Sequence, residues 1–247
     1  DAPNMRRWYT QHTETMKKAF GKDYDLFAML LGVTSPQAPV ENNVMFAAQT
    51  YAYMLGLVDK PGAMYPGALQ RRIDSQWYSP ETMLKDLESR MFKVTEFVRA
   101  LLGDPDATVG DVWMYRLFYG DSAVHGKDSA DYSVPQATGL RQKLLDLAAQ
   151  MTEETGDLWT AREVQAALWV YINATQTGTA IKDIATFESG LNKKNELFGG
   201  KSPLEWLQSL VPNMKEGPLS KQVGLESIPL APVSPLAKKL ILGKMKV

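Results

Sequence analysis

Apolar side chains along this chain recur at three- and four-residue steps, the period of an α-helix, and no segment alternates convincingly as a strand would. The clearest stripe is Val94, Phe97, Val98, Leu101 and Leu102, closed by Gly103 as a C-terminal cap. A second runs through Val40, Val44, Ala47, Ala48, Tyr51 and Leu55, with Ser35-Pro36 as its expected start signal. Residues 136–151 align Leu140, Leu144, Leu147 and Ala148. Thr160 and Glu163 have capping-box spacing ahead of Val164, Ala167, Leu168, Tyr171 and Ile172. Weaker signals predict a polar helix over 4–20, an apolar run from Leu26 to Leu31 ended by Gly32, a short helix opened by Ser79-Pro80, and another over 204–210. Residues 59–67 and 120–135 read as loops. Pro212, Pro218, Pro229, Pro232 and Pro235 predict an extended tail. The expected fold is all-α: a two-lobed helical bundle over 1–211 with a cleft between the lobes, then a proline-rich basic tail over 212–247.

Composition narrows the function classes. With 247 residues and 45% apolar content, the chain can bury a sizeable core. It has no cysteine, which excludes disulfides, thiolate metal sites, iron–sulfur clusters and a cysteine nucleophile. His12 and His125 are too few and too far apart to suggest a metal site. No apolar run reaches the roughly 20 residues that span a bilayer, and Asp1–Tyr9 is polar, unlike a signal peptide. The expectation is a cytoplasmic monomer without metal or cofactor. The net charge of −1 is unevenly placed. Nine lysines against four glutamates give residues 192–247 a charge of +5, which leaves −6 on residues 1–191. A basic segment of this kind can touch phosphates, or simply solubilise the chain.

The stretch from Met91 to Gly120 carries the candidate chemistry. Lys93 stands at the start of the amphipathic helix and outside its apolar stripe, so its amine is free to face a cleft. The Gly103-Asp104-Pro105-Asp106 turn follows, and Asp111 opens the next helix, eighteen residues after the lysine. If the two helices fold back on each other, Lys93 and Asp111 come to one end of the pair. The free N–H groups of a helix start are expected to hold Asp111 ionised.

This segment resembles the lysine-and-aspartate region of helix-hairpin-helix DNA glycosylases, nearest to the 8-oxoguanine glycosylase branch, with the helix-hairpin-helix element over about 80–120. The resemblance implies that Lys93 attacks C1′ of an extruded nucleotide and that Asp111 activates it or stabilises the sugar cation. Double-stranded DNA is then the partner. Ser35-Pro36-Gln37 and Val40-Glu41-Asn42-Asn43 are similar to the family's first core helix, which implies DNA contacts for Gln37, Asn42 and Asn43. Two departures stand out. Leu87–Phe92 lacks the hairpin glycines that approach a phosphate, which leaves Arg90 as a substitute contact. Trp113 replaces a histidine two residues after the aspartate and is a candidate DNA contact.

Bacteriophage relatives of the same fold that hypermodify thymine imply an alternative: transfer of an amino acid or polyamine onto an activated 5-hydroxymethyluracil. A third reading is a non-catalytic helical DNA-binding protein. A solvated lysine and a plain helix cap are the simplest readings of Lys93 and Asp111 taken singly. The pair and its spacing lift them above that.

Overall fold

The computed structural model describes residues 5–77, 82–83, 85–87, 92–120 and 134–222. Among these the fold is all-α, as the periodicity predicts. The helices are α1 (Trp8–Phe20), α2 (Tyr24–Thr34), α3 (Val40–Met54), α4 (Pro66–Gln76), α5 (Phe92–Leu102), α6 (Val112–Tyr119), α7 (Val134–Thr155), α8 (Ala161–Thr177), α9 (Phe187–Asn192), α10 (Pro203–Leu210) and α11 (Pro218–Gln222).

Helix α2 is the hub. It is buried from Leu26 to Thr34 and packs against α1, α3 and α5. An added Cβ at Gly32 would sit 2.4 Å from Val98 Cγ2, so this glycine lets α5 lie directly on α2. The apolar run from Leu26 to Leu31 lies inside a longer helix, and α2 continues past Gly32 to Thr34. Ser35-Pro36 forms a turn, with the Ser35 hydroxyl donating to the Gly32 carbonyl at 2.8 Å, and α3 begins instead after Pro39.

Two apolar clusters organise the interior. The larger joins α1, α2, α3, α5 and the chain's last described helices; the smaller joins α6, α7 and the first half of α8 around Tyr115, Leu140, Leu144 and Val164. Trp169 of α8 packs against both. The capping box is formed, with Thr160 Oγ1 accepting from Glu163 N and Glu163 Oε2 from Thr160 N. Arg162 then fixes the start of α8. Its N–H donates to Pro105 O at 3.1 Å, and its guanidinium donates to Ala100 O at 3.0 Å and Thr10 Oγ1 at 3.2 Å.

Three expectations are corrected. Residues 212–222 are not an extended tail: α11 and a short turn of helix at Met214–Glu216 pack into the larger core, with Met214 and Leu219 buried. Helix α4 and helix α9 lie where no stripe marked them. Finally, α5 and α6 are not packed along their lengths as a hairpin. Residues 103–111 separate them, and within these Ala107, Thr108 and Val109 run buried beside α5. Glu96 anchors this return, because Thr108 N donates to Glu96 Oε2 at 2.8 Å. Residues 88–91, the hairpin of the expected helix-hairpin-helix, and 223–247 lie outside the described residues.

Candidate active site

Six segments line a cavity of about 570 Å³. One wall is a single ridge of α8: Gln165, Trp169, Asn173 and Thr177, spaced four apart so that they stack on one face. Lys93 and Phe97, also four apart, come from α5. Trp8 and Tyr9 come from α1, and Val109, Asp111, Val112 and Trp113 from the start of α6. Gln37, Asn43 and Phe187 lie on the remaining sides. The walls are strongly aromatic, with the rings of Trp8 and Trp169 5.0 Å apart and those of Phe97 and Phe187 6.3 Å apart.

Lys93 and Asp111 therefore line the same cavity. What unites them is not a helical hairpin but the buried return of residues 107–111 beside α5, pinned at Glu96, one turn from Lys93. Asp111 is the N-cap of α6, and its Oδ1 accepts from Met114 N at 2.9 Å. It is only 8% exposed. Burial pushes its carboxyl above the usual carboxylate range, opposed by the Lys93 ammonium, the N–H of Met114, the Trp169 indole and the N–H of Trp113. The helix start lowers the carboxyl's proton affinity as expected, but desolvation outweighs it, so Asp111 holds a proton more readily than an exposed aspartate does. The result is a carboxyl ready to accept a proton from a neighbour, beside a half-buried primary amine. Burial and then the charge of Asp111 also push the Tyr9 phenol up, so it stays protonated.

Around this pair lie buried polar atoms with no hydrogen-bond partner among the described residues: Trp8 Nε1, and both Nε2 and Oε1 of Gln165. Gln165 is 1% exposed. Its amide is near enough to the Tyr9 phenol to influence it, though not at hydrogen-bonding geometry. Behind the cavity wall His12 is packed between Trp8 and Phe187, at ring-centroid distances of 3.8 and 4.2 Å, and its Nε2 also lacks a partner. Unmatched buried polar atoms are rare in folded proteins, and their concentration at one cavity marks it as a place for a ligand.

The residues singled out in the sequence are placed unequally. Lys93, Asp111, Trp113, Gln37 and Asn43 line the cavity. Trp113 carries the Arg116 guanidinium 5.0 Å above its ring. Gln37 is exposed and holds a left-handed backbone, φ 60°, a strained conformation for a side chain of this kind. Asn43 is buried, and its Oδ1 accepts from Thr34 Oγ1 at 2.6 Å, which fixes the amide. Asn42 is exposed and does not line the cavity, since it lies one residue round the helix from Asn43. Arg90 lies outside the described residues. Sequence reasoning did not single out Trp8, Tyr9, Gln165 or Trp169 as site residues. The available signal was the ladder of polar and aromatic residues at 165, 169, 173 and 177, four apart on one face of the helix.

No grouping of three histidine, aspartate or glutamate residues among the described residues could hold a metal ion. No described helix is long and apolar enough to cross a membrane. No curated protein and no solved structure matches the chain. The model of a family of unknown function, DUF7178, matches residues 2–176. That span takes in the cavity wall from Trp8 to Asn173, and the chain belongs to this family.

Proposed function

We propose that this chain is a DNA-base-acting enzyme of the glycosylase type, working on a nucleotide extruded from double-stranded DNA. One observation carries the reading: Lys93 and Asp111, singled out by spacing alone, line one aromatic-walled cavity. The extruded base stacks among the tryptophan and phenylalanine rings. Lys93 Nζ attacks C1′ as the glycosidic C–N bond breaks, and the base leaves with the bonding pair. The proton shed by the amine passes to the Asp111 carboxylate, which also offsets the positive charge developing on the sugar. Ring opening then gives a Schiff base between Lys93 and the sugar.

Borohydride trapping on duplexes carrying oxidised, deaminated or 5-substituted bases tests this. The native chain forms a covalent crosslink, Lys93→Gln forms none, and Asp111→Asn slows base release by roughly 10²–10³-fold. A crosslink of equal yield in Lys93→Gln would falsify the assignment. The size of the cavity favours a second reading on the same residues. At about 570 Å³ it falls within the roughly 300–1,000 Å³ of sites for drug-sized ligands, leaving room for a co-substrate beside one base. Group transfer onto a 5-substituted pyrimidine requires that co-substrate and leaves the glycosidic bond intact. Mass spectrometry of digested DNA separates the two reactions.

A further inference from the structure

Aromatic rings in this molecule are kept out of water with two exceptions. Among the described side chains only Tyr65, at 67%, and Tyr171, at 58%, are exposed; the tryptophans and phenylalanines are buried or half-buried. Tyr171 lies two residues from both Trp169 and Asn173, about 200° round α8 from the ridge that lines the cavity. Tyr65 stands at the opening. Its hydroxyl donates to Gln37 Oε1 at 3.5 Å, and Gln37 is both exposed and part of the cavity lining, which places it on the rim.

The backbone that presents this ring is fixed. Tyr65 is the N-cap of α4, and its carbonyl accepts from Ala68 N at 3.1 Å and Leu69 N at 3.2 Å, with Pro66 opening the helix behind it. The loop before it is tied to α3. Thr50 Oγ1 accepts from Gly62 N at 3.1 Å and lies 2.8 Å from Gly62 O, and Gln49 Nε2 donates to Lys60 O at 3.3 Å. A Cβ on Gly62 would meet the Phe46 carbonyl oxygen at 2.6 Å, so the loop lies directly on the helix. The same helix gives Val40 and Asn43 to the cavity wall. Ring and cavity therefore share one support. An aromatic side chain on a fixed backbone offers a large flat face, and little backbone freedom is left to lose when a planar partner arrives.

We propose that Tyr65 is a stacking platform for the nucleobase next to the one held in the cavity. The proposal rests on the base-binding reading above and adds to it a contact outside the cavity. Every base has a π face, so such a platform contributes affinity and register and does not choose between bases.

The test measures binding of the full chain, by fluorescence anisotropy, to a duplex in which one base stands opposite an abasic site, with the fully paired duplex as reference. The duplex with the unpaired base is expected to bind more tightly. Tyr65→Ala is expected to weaken that binding roughly five- to 100-fold, the range found when a side chain stacked on a base is cut back to alanine. Tyr65→Phe keeps the ring and is expected to bind as the native chain does, and so is Tyr171→Ala. Tyr65 makes no side-chain cap bond and is mostly in solvent, so these substitutions remove no buried contact. If the unpaired base binds no better than the paired duplex, the base-binding reading itself fails. If it binds better but Tyr65→Ala matches the native chain, the cavity reading stands and the platform is overturned. If Tyr65→Phe is as weak as Tyr65→Ala, the hydroxyl contact with Gln37 carries the effect and stacking is overturned.

Discussion

Two buried regions of this molecule treat their polar atoms in opposite ways. At Asp23, fully buried, each carboxylate oxygen accepts two hydrogen bonds. Oδ2 accepts from Tyr51 Oη at 2.6 Å and Leu219 N at 2.9 Å; Oδ1 accepts from Ser220 N at 2.7 Å and from the Ser220 hydroxyl. The knot ties α3 and α11 to the turn between α1 and α2. That turn approaches so closely that a Cβ on Gly21 would lie 2.2 Å from Lys215 O. At the cavity the balance is reversed: Asp111 is held by fewer bonds than its burial demands, and Trp8, His12 and Gln165 carry unmatched atoms. A fold spends matched hydrogen bonds where it needs only to hold together. The group of unmatched atoms beside the cavity is of the kind an arriving ligand can match.

The sharpest way to break this contrast is at the knot. Asp23→Asn puts an amide N–H where an oxygen received two donors. The expected loss is about 3 kcal/mol, two charge-assisted hydrogen bonds at roughly 1.5 kcal/mol each. A urea midpoint reads it, with the slope of the transition unchanged. A loss below about 1 kcal/mol shows that the knot is ornamental and that matched bonds do not distinguish the two regions.

The next effect is at the back of the cavity wall. Burial between Trp8 and Phe187 pushes the His12 imidazole down to about 3. Between that value and the ordinary 6.5 the unfolded chain binds a proton that the folded chain refuses, so stability falls as pH drops below 6.5. At pH 5 the loss is about 2 kcal/mol, at about 1.4 kcal/mol per pH unit. His12→Phe keeps an aromatic ring in the stack and should flatten this acid limb. The slope is the readout, whatever the variant does to absolute stability. An unchanged slope in His12→Phe assigns the limb to other groups.

The same contrast explains how much could be read from the sequence. The helices that announced themselves, α5 and α8, each have one continuous apolar face and a terminal signal, Gly103 for the first and the Thr160–Glu163 box for the second. Helix α4 buries only a short stripe, Leu69 and Ile73, and α9 is six residues long, too short for a repeat to register. Asp23 and Ser220 meet across 197 residues, a contact no local pattern encodes. Lys93 and Asp111 were legible as a pair because the chain between them is short. The route was not, since burial of 107–109 against α5 rests on side chains of α5 itself: Glu96, which accepts from Thr108 N, and Arg99, whose guanidinium binds Asp104 at the turn. Trp8 and Gln165 were invisible for the reason that makes them informative. Alone, each looks like an ordinary helical residue, and only the assembled cavity reveals that their polar atoms face no protein partner.

The smallest effect is the most diagnostic of the cavity. Because burial raises the Asp111 carboxyl above its ordinary 3.8, the folded chain holds this proton more tightly than the unfolded chain does. Below 3.8 both states are protonated and the contribution to stability is fully present. As pH climbs from 3.8 through the raised folded value, the unfolded chain releases its proton first and stability falls. Asp111→Asn removes the ionisation and keeps a side-chain oxygen to accept from Met114 N. The variant should therefore match the native chain near pH 4 and be at least as stable at pH 8, by thermal denaturation at the two values. The His12 limb slopes the other way in the overlapping window, so the comparison is made in a His12→Phe background. If Asp111→Asn is clearly less stable at pH 8, Asp111 is a structural cap of the same kind as Asp23, and the division between the two regions is lost. Equal or greater stability joined to slower base release is what separates an acid kept for chemistry, at a cost to the fold, from one that merely closes a helix.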